Sequence, residues 1–366
     1  MNETVTVKKN RLHPGFLALF AAAAIGLFAL STFVARQYLL GRLTGDIEGG
    51  SKVAYFILTF SLYLITMIAF SKAMQELMNL MTDRDRYVAV RKQSLENPAA
   101  QAIHQEYRKK MRRLAFINEA ITDILVVSLL MLYILKGGSR SQFTWVVFLV
   151  CIIMGVNPVS TSFKKKEEAK RRAILLENCD PRLSFDVYEL YRMEVLPRII
   201  RNQTLFYQAT ACFYLGDYAE MERKLGQMEG TMMFQMKGGR ILLLGLAAVD
   251  QGRMDLFHKY SEELHVLETA PRQLAVTEKY YQDIRRDWQG RLDLISEDPS
   301  KALLYVQKEL EDGKHPLFWM DFTYQLAWIQ LYQGDKERAK ENLRLVAERA
   351  GTMAIREKAQ KLLDVV

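Results

Sequence analysis

Cysteine is scarce in this chain, with three in 366 residues. Cys151, Cys179 and Cys212 stand far apart, so no disulfide framework and no paired zinc ligands follow from their spacing. The sequence also shows no Ser/His/Asp, Cys/His or paired-carboxylate arrangement with catalytic spacing, so no catalytic residues are expected and the chain does not read as an enzyme. His258, Glu262 and His265 share one face of an expected helix, but the spacing is not that of a zinc-binding helix and no further ligand is apparent. A solvated polar face explains them better, and neither a metal nor a cofactor is expected. Gly49-Gly50-Ser51-Lys52 lacks the spacing of a phosphate loop and reads as a flexible turn.

What is present is strongly divided along the chain. The net charge of +8 hides an N-terminal part, to Arg172, with 24 basic and 12 acidic residues, and a remainder with 26 basic and 30 acidic. The slightly acidic remainder lacks the footprint that phosphate binding requires, so nucleic acid is not an expected partner. The mean hydropathy of −0.07 conceals the same division.

The apolar runs lie in the N-terminal part. Gly15–Val34, Val53–Phe70, Leu114–Leu135 and Phe143–Phe163 are each long enough, at roughly 20 residues, to cross a bilayer. The Asn157-Pro158 pair should kink or end the last of them. The expected organisation is a membrane domain over 1–163, with spans of about 15–34, 53–72, 114–135 and 143–163, then a basic linker helix over 164–178. Lys/Arg-rich segments at 81–113 and 164–172 predict a multipass protein of the cell membrane with both termini cytoplasmic. Glu119 and Asp123 form an acidic pair at the edge of span three, and Lys164, Lys165, Lys166, Arg171 and Arg172 are expected to face membrane lipid.

From Ala173 onward helical periodicity is broken by Gly, Pro and Asp. Ten helices are predicted, at 182–195, 198–215, 217–229, 236–251, 254–268, 272–289, 300–311, 317–333, 335–350 and 353–364. Turns recur at Gly216-Asp217, Gly252-Arg253 and Gly334-Asp335, with Gly290 as an intermediate marker. In each, the glycine ends one helix and the next residue caps the following one. Lys237-Gly238-Gly239-Arg240 reads as a flexible joint between repeats.

Phe213-Tyr214-Leu215-Gly216-Asp217-Tyr218 and Gln333-Gly334-Asp335-Lys336-Glu337-Arg338-Ala339 give this region its resemblance to the tetratricopeptide repeat family. Ala209, Gly245 and Ala327 fall where that family places a small residue, whereas Met221 and Phe257 depart from its pattern. The resemblance, over about 150 residues, implies a curved stack of helix pairs whose concave face binds a protein or peptide. Phe318, Tyr324 and Trp328 are the candidate groove residues.

The expected fold class is therefore all-α, with four transmembrane helices followed by an α-solenoid of tetratricopeptide-like antiparallel pairs, over 179–366. The expected function is a membrane-anchored interaction scaffold. The competing reading is a small transporter, channel subunit or membrane enzyme whose four-span unit is active and whose repeats regulate it. The sequence leaves the partner and the oligomeric state open.

Overall fold

A computed structural model of the chain describes residues 3–8, 87–113, 158–194, 198–228, 234–269, 275–313 and 315–366. No helix among them is long and apolar enough to cross a membrane. The expectations of four membrane helices and of a multipass membrane localisation are corrected on that finding. The residues of spans one to three, and of span four up to 157, lie outside the described residues, as do Glu119 and Asp123. The end of the fourth expected span is described, and it belongs to a different element. Pro158 opens a helix, Pro158–Leu176, that runs on into the charged stretch Lys164–Arg172. A proline lacks the amide that the first turn would leave unpaired, so it is better suited to starting this helix than to closing an apolar one.

Two short strands open the fold. β1 (Thr4–Lys8) and β2 (Tyr87–Arg91) pair antiparallel, with Thr4 opposite Arg91 and Lys8 opposite Tyr87. Alternating valines drive this, and Val88 and Val90 bury one face of the ribbon. The expected all-α class is thus adjusted by one ribbon that lies before the helical region. α1 (Lys92–Glu96) follows directly, and residues 98–113 form α2. Ala100 on α2 joins Ile174, Val187 and Leu190 in a small core of its own.

The remaining elements are helices in antiparallel succession. They are α3 (Pro158–Leu176), α4 (Pro181–Tyr191), α5 (Arg198–Tyr214), α6 (Tyr218–Gly226), α7 (Phe234–Asp250), α8 (Met254–Glu268) and α9 (Ala275–Ile295). A 3-10 turn (Pro299–Ala302) leads to α10 (Leu303–Asp312), α11 (Pro316–Tyr332), α12 (Lys336–Arg349) and α13 (Ala354–Leu363). Each packs on its sequence neighbour, and α5–α7 and α7–α9 also pack on one another, which builds a helical array. Such an array is compatible with a solenoid.

The turns have one repeated geometry. Gly216, Gly252 and Gly334 adopt φ of +70°, +68° and +81°, the left-handed region. The amides of Asp217, Arg253 and Asp335 return to the carbonyls of Cys212, Ala248 and Gln330 at 2.8 to 2.9 Å, closing each helix end. Asp217 and Asp335 then cap the next helix through the amides of Glu220 and Arg338, whereas Arg253 makes no side-chain cap. A fourth turn of related form joins α3 to α4. There Cys179 takes φ of +51° and Asp180 caps α4 through the amide of Leu183. Gly290 marks no turn: it lies inside α9, where the ring of Tyr305 rests on the space a Cβ would fill. Gly238 and Gly239 likewise lie inside α7 rather than in a joint, packed under Tyr280 and Phe206.

The array closes on itself. α11 packs against α3, and the α12–α13 turn meets the α3–α4 turn, where the amide of Thr352 donates to the Cys179 carbonyl at 3.2 Å. The Thr352 hydroxyl also donates to Asp180 Oδ1 at 2.7 Å. A single core accordingly runs from Leu175 through Phe185, Leu205 and Leu244 to Leu317, Leu343 and Ala359. Fully burying one such large apolar side chain contributes roughly 1.5–3 kcal/mol, more than a typical cap at about 1 kcal/mol.

The ribbon is fastened to this body by polar contacts. Arg91, 4% exposed, reaches Asp217 and Glu220 at 3.2 and 3.4 Å and lies 4.4 Å over the Phe185 ring. Its backbone amide donates to Glu189, a fully buried carboxylate that also receives Lys224 Nζ at 2.6 Å, Arg192 at 3.2 Å and the amide of Gln208. Ser94 and Asn97 both donate to Asp186, at 2.5 and 2.8 Å.

Candidate functional site

The first helices of the pairs turn one face toward the centre of the closed array. α3, α5, α7, α9, α10 and α11 together wall a cavity of about 540 Å3. Four of them supply apolar side chains at helical spacing: Leu175 and Leu176 from α3, Phe206, Phe213 and Tyr214 from α5, Leu242, Leu243 and Leu246 from α7, and Phe318 and Phe322 from α11. Gly239 shapes the wall from α7, because without a Cβ it admits the Phe206 ring. Tyr214 and Phe318 face one another with centroids 6.3 Å apart.

Set into this apolar wall are four carboxylates, Asp287, Glu309, Asp312 and Asp321, and two guanidinium groups, Arg172 and Arg291. Arg291 is committed elsewhere: its Nε and Nη2 donate to the two oxygens of Asp250 at 2.6 and 2.9 Å, and its Nη1 stands 4.0 Å from Asp321. Arg172 donates to the Tyr207 hydroxyl at 3.3 Å. Asp287 accepts from the Tyr305 hydroxyl at 3.2 Å. Its other neighbour, Arg286, is 3.5 Å away and also serves Glu309 and Asp283, at 2.9 and 3.5 Å.

The electrostatics follow from this shortage of counter-charge. Burial, only partly offset by Arg286, pushes the Asp287 carboxyl up to about 6. Burial likewise raises Asp321 above the usual carboxylate range, with Arg291 acting in the opposite sense. The Tyr214 hydroxyl is driven well up by burial and by the neighbouring Asp321. Carboxylates perturbed by desolvation inside a cleft are candidates for a functional site.

The residues expected from sequence scatter relative to this cavity. Phe318, 36% exposed, lines it. Tyr324 and Trp328 line a neighbouring cavity of about 620 Å3, and Arg291 and Gln325 form a wall common to both. Gly216, Asp217, Gly252, Gly334 and Asp335 sit in the turns. Arg171, expected to face lipid, is 6% exposed, paired with Glu168 at 2.6 Å and held between the rings of Tyr107 and Tyr191 at 4.7 and 4.0 Å. That burial between two rings corrects the expectation. Arg172 turns into the central cavity, Lys166 is exposed, and the side chains of Lys164 and Lys165 lie outside those described. His265 is exposed beside Glu268, and among the described residues no group of three His, Cys, Asp or Glu side chains could hold a metal ion. Cys179 and Cys212 are buried free thiols, which burial pushes up to about 11 and about 12.

Sequence reasoning missed Asp287, Asp321, Gln325 and Arg291. Their only signal was a pair of i, i+4 spacings, Asp287 with Arg291 and Asp321 with Gln325. On an isolated amphipathic helix such spacings read as a solvated face. Compared with known proteins, the chain matches no family model, no curated sequence and no solved structure.

Proposed function

We propose that the helical array is an interaction module that receives a peptide segment of another protein in its central cavity, in the manner its resemblance to tetratricopeptide repeats implies. The observation that carries this reading is the cavity itself, whose apolar and aromatic walls come from five helices and whose carboxylates are set among them. Extended apolar clefts with a few placed polar groups suit peptide side chains, because the walls contribute by burial and the polar groups select. Phe318 and Phe322 would act as anchors, being carried on a helix that the core holds in place.

The proposal is a binding role, and the membrane anchor expected from sequence forms no part of it. Fluorescence anisotropy of labelled octapeptide pools with the full chain tests it. Peptides rich in Leu and Phe are expected to bind, and Phe318→Ala with Phe322→Ala is expected to weaken them about tenfold or more, the scale of a lost aromatic anchor. Equal affinity for the double variant would move the binding site elsewhere.

A further inference from the structure

Acceptors outnumber donors at one end of the cavity. Gln325, 3% exposed, donates its amide nitrogen to Asp321 at 2.9 Å, and its amide oxygen has no hydrogen-bond partner. A buried acceptor without a donor is costly unless water or a ligand supplies one. Asp321 itself has only that amide in hydrogen-bond range, because Arg291 is bound bidentate to Asp250. Asp287 shares a single arginine with two other carboxylates. Asp287, Asp321 and Gln325 line the same cavity as Tyr214. Burial raises both carboxyls, and the nearby cations, Arg286 for Asp287 and Arg291 and Lys358 for Asp321, offset it only in part.

From this arrangement we infer that Asp287, Asp321 and the Gln325 amide oxygen form a cation-reading subsite for a lysine or arginine side chain of the bound peptide. The inference rests on the peptide-groove reading and adds the chemistry that the groove selects. An ammonium carries three donors and a guanidinium five, with no acceptor, which matches a wall of carboxylates and an unpaired carbonyl. The methylene stem would lie against Tyr214 and Phe318, where aromatic faces favour both the stem and the charge. A protein partner with a basic residue flanked by apolar ones is therefore the fitting occupant.

The test uses the full chain and fluorescein-labelled octapeptide pools with a fixed central residue between leucines. The central residue is lysine, acetyl-lysine, leucine or glutamate. Lysine is expected to bind at least tenfold tighter than acetyl-lysine, with glutamate weakest. Asp321→Asn and Asp287→Asn, checked for folding by circular dichroism, are expected to bring lysine, acetyl-lysine and leucine pools to within about twofold of one another, erasing the preference for lysine. The acetyl-lysine comparison needs no variant, so a misfolded substitution leaves the test intact. Equal binding of lysine and acetyl-lysine, with loss on Phe318→Ala, would overturn the cation subsite and leave the groove standing. Absence of binding by every pool would overturn both. Displacement of the lysine pool by free spermidine at concentrations no higher than the peptide's would reassign the site to a small polyamine and overturn the peptide form.

Discussion

At Asp287 burial acts against the charge and a shared arginine does not fully oppose it. The unfolded carboxyl loses its proton near 3.8 and the folded one at about 6. Between those values the folded state holds one more proton, so stability falls as pH rises through that window and is level above it. Asp287→Asn is expected to remove that slope in urea unfolding followed from pH 4 to pH 6. An unchanged slope would show that the side chain is not desolvated as described. The Glu189–Lys224 pair presents the opposite balance. Burial pulls the Lys224 ammonium down to about 8, yet Lys224 and Arg192 together hold the Glu189 carboxyl below its usual range. The pair is thus charged near neutral pH. Lys224→Met leaves the buried Glu189 carboxylate with Arg192 as its charged partner and is expected to cost up to about 3–5 kcal/mol by urea denaturation. The double change of Glu189→Leu with Lys224→Met should cost less than the two single losses added.

The repeated element is the glycine turn followed by a capping residue. Gly252 has open space around it, so Gly252→Ala meets only the left-handed backbone penalty, about 1–2 kcal/mol. Gly351 has φ of +53° and a Cβ there would collide with the Cys179 carbonyl. Gly351→Ala is therefore expected to lower the thermal midpoint clearly more than Gly252→Ala, and equal shifts would contradict the closure of the array at that turn. The turns were legible in sequence because glycine followed by a capping aspartate is a local signal, independent of what the helix packs against. The turn at Asn178-Cys179-Asp180 was not, since cysteine in the left-handed region is recognisable only from its backbone angle. Gly238, Gly239 and Gly290 misled in the opposite sense. Their glycines serve close ring contacts from α5, α9 and α10, and no local pattern separates a packing glycine from a breaking one.

For the molecule as a whole, closure of α11 on α3 completes the cavity wall, while the ribbon docks elsewhere, on α4 and the α5–α6 turn. Arg91 joins β2 to the α5–α6 turn through Asp217 and to α6 through Glu220, across 126 residues of sequence in the first case. Arg91→Ala is expected to speed amide exchange in β2 and α1 while α11, α12 and α13 keep their protection. Uniform loss across the chain would instead mark the ribbon as part of one cooperative unit. The ten C-terminal helices lie close to where periodicity places them, from Pro181–Tyr191 to Ala354–Leu363. Sequence thus determined the helices, their apolar faces and most of their turns, because 3.6-residue periodicity and capping act within a few residues. Tertiary structure alone decided that the array closes, that Arg171 is buried between two rings, and that Asp287, Asp321 and Gln325 meet at one cavity. Those outcomes depend on the relative placement of helices distant along the chain, where burial and unmet charge arise only once the packing is complete.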